Sequence, residues 1–205
     1  MKEQVIIAIL LSALSALFGG WLIHYSETIK TEEGELYRFS KRWKGFVALL
    51  SAGISAYLVF TASHWVGAVV LAGIASLFAT QFAIDLKYME LANEWNLLLG
   101  ILSVAYLVIK QPESLKAHLL AWLILVVLFF LWWAFLGGLG FGDVKFLLAT
   151  GFLLTMDQLL VYLATTLFIA VIFGLLLMIV KKKGLKTEFA FGPFLIIGMI
   201  IVGIS

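Results

Sequence analysis

Eight apolar runs make up most of this 205-residue chain and limit what it can fold into. A helix needs about 20 residues to cross the ~30 Å core of a bilayer, although 17 can suffice. In lipid, every backbone polar group must be bonded within the protein, which an α-helix achieves by itself. The pattern therefore predicts an all-α, polytopic membrane helix bundle with about eight transmembrane spans. The runs cover approximately residues 4–24, 45–62, 65–84, 94–109, 117–136, 144–156, 158–180 and 190–205.

Composition points the same way, because 63% of the residues are hydrophobic and only 13% are charged. A soluble domain usually carries about 25% charged residues. We predict one integral-membrane domain over residues 1–205. The longest polar stretch, residues 27–44, is too short for a domain of its own and is expected to form a loop or a short interfacial helix. The net charge of +2 is too small to indicate a nucleic-acid partner.

Three features leave the span boundaries open. The fourth, sixth and eighth runs are short. The sixth and seventh are separated only by Met156-Asp157-Gln158, where a turn is expected because an acid is costly in mid-bilayer. The first run has small residues typical of a signal-peptide cleavage site, but it is long and its N-terminal flank is neutral. We therefore expect a retained first helix.

The basic residues favour one orientation. With eight spans and the N-terminus outside, the inner segments carry 11 of the 14 Lys and Arg residues. An excess of Lys and Arg marks cytoplasmic loops, so the inner face is predicted to be cytoplasmic. Asp85 and Asp143 then lie at this same face. The inner residues are Lys30, Arg38, Lys41, Arg42, Lys44, Lys87, Lys145, Lys181, Lys182, Lys183 and Lys186.

The run Gly138-Leu139-Gly140-Phe141-Gly142-Asp143-Val144-Lys145 places an acid behind three alternating glycines. An ionisable residue beside hydrocarbon is a candidate functional residue. The 14 residues from Asp143 to Met156 would rise only ~21 Å, so we expect the glycine-rich loop to lie below the membrane surface in a wet pocket. The alternative is a glycine turn whose aspartate caps a helix.

Asp85 follows the third apolar run, and alone it would be interpreted as an ordinary loop acid at the water interface. Together, two carboxyls can hydrolyse a peptide bond: one ionised carboxylate takes a proton from water, and the protonated partner polarises the scissile carbonyl. Like charges repel at close range, so such a pair shares one proton and titrates as a unit. We expect both carboxyls to be mobile without substrate, because glycine-rich loops cost entropy to fix.

Other hydrolytic sites are not supported by the sequence. The chain has no cysteine, no His-Glu-x-x-His and no Gly-x-Ser-x-Gly. His24, His64 and His118 are isolated, each near the end of a predicted span, so no metal site is predicted. The glycine run also lacks the Gly-Lys-Ser/Thr of a phosphate-binding loop. No cofactor is expected.

At these residues the chain resembles the type IV prepilin peptidases, integral-membrane aspartyl proteases with a Gly-x-Gly-Asp motif. Gly138 to Lys145 is similar to their second catalytic motif. Asp85 followed by Asn93 is similar to the first, an Asp followed some residues later by Pro-Asn. Phe189-Ala190-Phe191-Gly192-Pro193-Phe194-Leu195 resembles a C-terminal segment of the family. The resemblance covers about residues 45–205.

The resemblance implies an activity and a set of site residues. Asp85 and Asp143 would be the catalytic pair, and the active-site loops would include Gly138, Gly140, Gly142, Lys145 and Asn93. The substrates would be prepilins or pseudopilins with an apolar N-terminal helix, cut after a glycine that ends a short basic leader. The enzyme would be a multi-pass protein of the plasma (inner) membrane, in contact with lipid, with its active site facing the cytoplasm.

The chain departs from the family pattern at three places. Many members carry a cysteine-rich cytoplasmic domain suited to zinc and methylate the new N-terminus, whereas this chain has only residues 27–44 there and no cysteine. We therefore predict that it has neither zinc nor N-methyltransferase activity. Ala92 replaces a proline, which is expected to loosen the first loop. Gly137 stands where many members have a glutamate.

Three other functions stay open at this stage. A small proton-coupled transporter would also use intramembrane acids and broken helices. A catalytically inactive peptidase homologue could serve in assembly. A Gly-x-Gly-Asp protease acting on signal peptides is a third possibility, although the Phe191-Gly192-Pro193 match favours the prepilin branch.

Overall fold

The computed structural model describes residues 2–62, 64–110, 115–181 and 189–202. These residues form helices and connecting turns, with a single isolated antiparallel bridge between Lys30 and Leu36. The all-α prediction is thus confirmed. The helices are α1 (Lys2–Ser26), α2 (Lys41–Thr61), α3 (Trp65–Tyr88), α4 (Asn93–Lys110), α5 (Leu115–Leu131), α6 (Phe141–Thr150), α7 (Met156–Lys181) and α8 (Gly192–Val202).

Each predicted run corresponds to one of these helices, but the predicted count of about eight membrane spans is not confirmed. Within the described residues, five helices are long and apolar enough to cross a bilayer: α1, α2, α3, α5 with its π-helical extension, and α7. α4 is 18 residues long but starts with polar residues, and α6 and α8 have 10 and 11 residues. At 1.5 Å per residue, α6 and α8 rise only ~15–17 Å.

The sixth run does not form one continuous helix. α6 ends at Thr150 and is followed by a short 3₁₀ turn, Gly151–Leu153. The turn expected near Asp157 is confirmed but lies slightly earlier, at residues 154–155. The backbone N–H of Thr155 donates to Oε1 of Gln158 at 3.0 Å, so the glutamine side chain satisfies an amide that precedes the first turn of α7.

The first three helices pack as a unit through small residues. Oγ of Ser15 lies 2.8 Å from Oγ of Ser76 on α3 and also donates to the carbonyl of Ser51 on α2 at 3.1 Å. At Gly19, a Cβ would come within 2.0 Å of Oγ of Ser51, so α1 and α2 could not approach this closely with a larger residue there. α3 is the most buried of the long helices, and it positions α4 and α8.

The polar segment 27–44 forms a loop that continues into the start of α2. Its anchor is an ion pair of 2.6 Å between Glu27 and Lys44. The hydrogen bond from Lys44, together with one from the backbone N–H of Phe39, lowers the pKa of Glu27 to about 2. The loop also rests on α3, where the hydroxyl of Tyr88 lies 2.9 Å from the carbonyl oxygen of Arg38.

The structure contains no membrane, so the orientation predicted from the basic residues is not tested. Lys182, Lys183 and Lys186, which supply part of the count, lie outside the described residues. Membrane orientation therefore stays a prediction.

Candidate active site

Asp85 lies in the last turn of α3, three residues before the helix ends at Tyr88. The chain then turns at Met89, the C-cap residue, whose φ of 56° is left-handed. Asp85 is only 4% exposed. Its Oδ2 accepts a hydrogen bond of 2.8 Å from the backbone N–H of Gly192. The acid that alone looked like an ordinary interface residue is therefore buried and held by a distant part of the chain.

Gly192 is the first residue of α8, and its contact with Asp85 leaves no space for a side chain. A Cβ there would lie 2.8 Å from Oδ2 of Asp85 and 3.0 Å from Cδ2 of Leu91. Gly192 belongs to the segment from Phe189 to Leu195 that resembles the family, but it is not among the site residues predicted from the sequence. The signal that could have identified it is the glycine before Pro193: a proline is typical of the first turn of a helix, and the first backbone N–H groups of a helix have no partner within it and can bind an acceptor.

Asp143 lies in the first turn of α6 and is 7% exposed. The N-cap of that helix is Gly140. The alternative prediction that Asp143 is the N-cap residue is therefore wrong, because Asp143 is the third residue of the helix. The backbone N–H of Asp143 donates to the carbonyl of Gly140 at 3.1 Å. Its carboxyl in turn interacts with the backbone N–H of Gly140. An acid at this third helical position is also favoured by the helix dipole.

The glycine-rich loop needs its glycines at specific points. Gly137 and Gly138 have φ of 68° and 77°, in the left-handed region that favours glycine. Gly142 lies against the loop that follows α3, because a Cβ there would be 3.4 Å from Cβ of Leu91. The N-terminus of α6 therefore approaches the segment immediately after Asp85.

One cavity of about 410 Å³ contains both aspartates. The structure thus brings Asp85 and Asp143 to one cavity, which Gly138, Gly140 and Gly142 also line. Among the described residues that line it, every charged one is acidic: Asp85, Asp143, the exposed Glu32 and the half-buried Glu90.

The position of Glu90 is fixed by the polar segment 27–44. Its Oε2 accepts hydrogen bonds from the hydroxyl of Tyr37 at 3.0 Å and from the backbone N–H of Glu32 at 3.1 Å. Burial, followed by the charge of Glu90, raises the pKa of Tyr37, so the hydroxyl keeps its proton and acts as a donor. This segment therefore contributes to the cavity, a role that its sequence did not indicate.

Asn93 and Lys145 contact each other rather than the aspartate cavity. Nζ of Lys145 donates to Oδ1 of Asn93 at 2.9 Å and lies 4.9 Å from the centre of the Phe141 ring. Both residues line a separate groove between α4 and α6. The hydrogen bond between Lys145 and Asn93 therefore joins the helix that carries Asp143 to the start of α4, shortly after Asp85 in the sequence.

Ala92 is not loosely held, in contrast to the expectation from the missing proline. It is 4% exposed. Its N–H donates to Oε1 of Gln81 at 3.0 Å, and its carbonyl accepts from Nε2 of Gln81 at 3.1 Å. Gln81 is a second residue that sequence reasoning missed, because a polar residue within an apolar run gives no sign of its partner.

The cavity has the groups needed for acid–base hydrolysis. In the part of the chain that the structure describes, no three His, Cys, Asp or Glu residues are grouped so that they could hold a metal ion. Two buried carboxyls face one space of about 410 Å³. Whether the carboxyls move without substrate is not tested and stays a prediction.

Comparison with known proteins gives one match. The model of the type IV leader peptidase family matches residues 70–179, which is 110 of the 205 residues. The match includes Asp85, Asn93 and the run from Gly138 to Lys145. Neither a curated protein nor a solved structure matches the chain.

Proposed function

The chain belongs to the type IV leader peptidase family, and from this we propose that it is a membrane aspartic endopeptidase that removes the leader of type IV prepilins or pilin-like precursors. Membership makes it a peptidase-like membrane protein. The aspartic mechanism, the prepilin substrate and the cytoplasmic location of the cut are our proposals.

The observation that carries the proposal is the shared cavity. Asp85 and Asp143 are 58 residues apart in sequence, and each belongs to a different motif, yet both are buried against one space of about 410 Å³. Burying a carboxyl in an apolar membrane bundle is costly. Two such acids with a common opening are explained by a reaction that needs both.

In the proposed mechanism, one carboxylate accepts a proton from a water molecule as that water attacks the scissile carbonyl carbon. The other carboxyl, protonated, donates a hydrogen bond to the carbonyl oxygen and stabilises the negative charge that develops there. The tetrahedral intermediate collapses with cleavage of the C–N bond when the carboxyl that took the proton from water passes it to the leaving amine, and the acid pair again shares one proton. Either carboxyl can serve as the base in this scheme, because Oδ2 of Asp85 accepts from the backbone N–H of Gly192 and the carboxyl of Asp143 interacts with the backbone N–H of Gly140. The two acids are expected to share one proton and to titrate as a unit.

The charge of the cavity fits a basic leader. Its charged lining residues within the described part of the chain are Asp85, Asp143, Glu32 and Glu90, and these acidic groups would attract a positively charged segment. The apolar helix that follows the scissile bond would stay in the membrane. We propose that the cavity opens to the cytoplasm of a plasma (inner) membrane protein, and that cleavage needs no cofactor and is not followed by N-methylation.

The first test is co-expression with a candidate prepilin. Wild type is expected to remove the leader, whereas Asp85→Asn and Asp143→Asn are expected to leave the precursor intact. Asp157→Asn is the matched control, because Asp157 is an exposed acid in the first turn of α7 and does not line the cavity. Undiminished processing by both cavity variants would refute the two-aspartate mechanism.

The same experiment decides between the alternatives. A transporter or an inactive homologue would give no leader removal in wild type. Mass spectrometry of the new N-terminus tests methylation, since a mass about 14 Da above that of the free amine, one CH₂, would contradict the prediction that methylation is absent.

A further inference from the structure

Gln81 lies on α3 one helical turn before Asp85, and therefore on the same face of the helix. It is completely buried. Its amide makes three hydrogen bonds: Oε1 accepts from the N–H of Ala92 at 3.0 Å, and Nε2 donates to the carbonyl of Ala92 at 3.1 Å and to Oδ1 of Asn96 at 2.8 Å. Because a backbone N–H can only donate, the contact with Ala92 fixes which end of the amide is the oxygen.

Ala92 immediately precedes α4, and its carbonyl also accepts the first backbone bond of that helix, from Asn96 at 3.1 Å. Alanine has no side chain that can cap a helix. In a capping box, a Glu or Gln inside the helix bonds the N–H of the capping residue. Here the acceptor for the N–H of Ala92 is Gln81, which lies on α3 and not in the helix that Ala92 precedes.

The capped segment connects the two acids. Residues 89–92 join the end of α3, which carries Asp85, to the start of α4. Leu91 in this segment packs against Gly142, because a Cβ added at Gly142 would lie 3.4 Å from the Cβ of Leu91. Gly142 adjoins Asp143. The hydrogen bond between Asn93 and Lys145 adds a second link from this segment to α6.

We propose that Gln81 is a positioning residue that sets the separation of Asp85 and Asp143 through the hydrogen bond that it accepts from the N–H of Ala92. It lines no part of the aspartate cavity and acts through the 89–92 segment. The proposal deepens the proposed function and rests on it, because the property that Gln81 controls is the geometry of the proposed catalytic pair.

Two substitutions separate this role from a general loss of stability. Gln81→Leu keeps the approximate volume but leaves the N–H of Ala92 buried without an acceptor, which is costly. Ala92→Pro, made in that background, removes this N–H and fixes φ at a value compatible with the start of a helix. The matched control is Thr80→Val, because Thr80 is equally buried on the same helix and its hydroxyl bonds only to the carbonyl of Ser76.

The experiment measures cleavage of a prepilin by the purified full chain, together with hydrogen exchange of the peptide that covers residues 89–93. Gln81→Leu is expected to lower kcat by at least about tenfold, since small misplacements of catalytic groups are costly, with little change in KM. It is also expected to accelerate exchange in that peptide. Gln81→Leu with Ala92→Pro should recover most of the lost kcat, and Thr80→Val should change neither measurement.

Two results would overturn the proposal: Gln81→Leu with unchanged exchange at residues 89–93, or Gln81→Leu with faster exchange at residues 89–93 but wild-type kcat. A folded double variant as inactive as Gln81→Leu would also overturn it, because the loss would then not arise through the N–H of Ala92. If wild type itself cleaves no prepilin, the proposed function fails, and the exchange data still report separately whether Gln81 holds the segment.

Discussion

The backbone N–H of Gly192 donates a hydrogen bond of 2.8 Å to Oδ2 of Asp85, across 107 residues of sequence. The donor lies at the start of α8 and the acceptor near the end of α3. The bond therefore fixes one proposed catalytic carboxyl against the C-terminal helix. It also gives a structural reason for a glycine in the segment from Phe189 to Leu195.

Gly192→Ala is predicted to reduce leader cleavage strongly. The added Cβ would lie 2.8 Å from Oδ2 of Asp85 and 3.0 Å from Cδ2 of Leu91, so the carboxyl or the helix must move. We expect a loss in kcat of at least about tenfold. Gly53→Ala is the control, because a Cβ at Gly53 meets nothing within 4 Å. Equal rates for the two variants would show that the Gly192 contact is not required.

Gly137→Glu, which introduces the residue common in the family, is predicted to destabilise this chain. Gly137 has φ of 68° and ψ of −179°, a conformation that is essentially restricted to glycine. We expect a cost of about 1–3 kcal/mol, measured as a lower Tm in detergent. An unchanged or higher Tm would mean that the loop adopts a different backbone with little cost.

Glu27→Gln is predicted to lower stability in a pH-dependent manner. The folded-state pKa of Glu27, about 2, is below its ordinary value of 4.5 because Lys44 donates a hydrogen bond to its carboxylate. A lowered folded pKa stabilises the fold above the unfolded pKa, and that stabilisation is lost as the pH falls towards the folded pKa. The difference in Tm between wild type and Glu27→Gln should be largest above about pH 4.5 and close to zero near pH 2.

The control for this measurement is Glu33→Gln, an exposed position on the same segment. Its Tm difference from wild type should stay small at every pH. A Glu27→Gln difference that stays constant or grows as the pH falls would contradict the assignment of the ion pair with Lys44.

Glu90→Gln is predicted to weaken binding of a substrate with a basic leader. Glu90 lines the aspartate cavity and is oriented by the hydroxyl of Tyr37. Removing its charge should raise KM by about two- to fivefold, the effect of one partly exposed charge pair worth up to about 1 kcal/mol. The increase should shrink at high salt. Glu94→Gln, an exposed acid that does not line the cavity, should leave KM unchanged.

The helices were predictable because apolar runs of this length have few alternatives in lipid. Hydropathy also indicated the break before Asp157, since an acid interrupts the run. It did not show where α4 and α6 begin and end, so each predicted run has its helix among the described residues, whereas the predicted count of about eight full spans is not confirmed. Length alone does not determine whether a short apolar helix crosses the bilayer.

The site was predictable in part. Asp85 and Asp143 were identified as costly acids at apolar boundaries, and the structure places both in one cavity. Gly192 and Gln81 were missed because their roles lie in backbone contacts with residues 107 and 11 positions away. Such contacts are set by how the helices pack and leave no local pattern. The same reason explains why Asn93 and Lys145 contact each other rather than the aspartates.

The most direct test of the central claim, that Asp85 and Asp143 together cleave the leader, is single-turnover cleavage of a purified prepilin by the purified, lipid-reconstituted chain. Wild type and Asp157→Asn are expected to produce the mature N-terminus at equal rates. Asp85→Asn and Asp143→Asn, each still folded by its Tm, are expected to produce none, because either substitution removes one of the two groups that act on water and on the carbonyl. Cleavage at the wild-type rate by either folded variant would contradict the account.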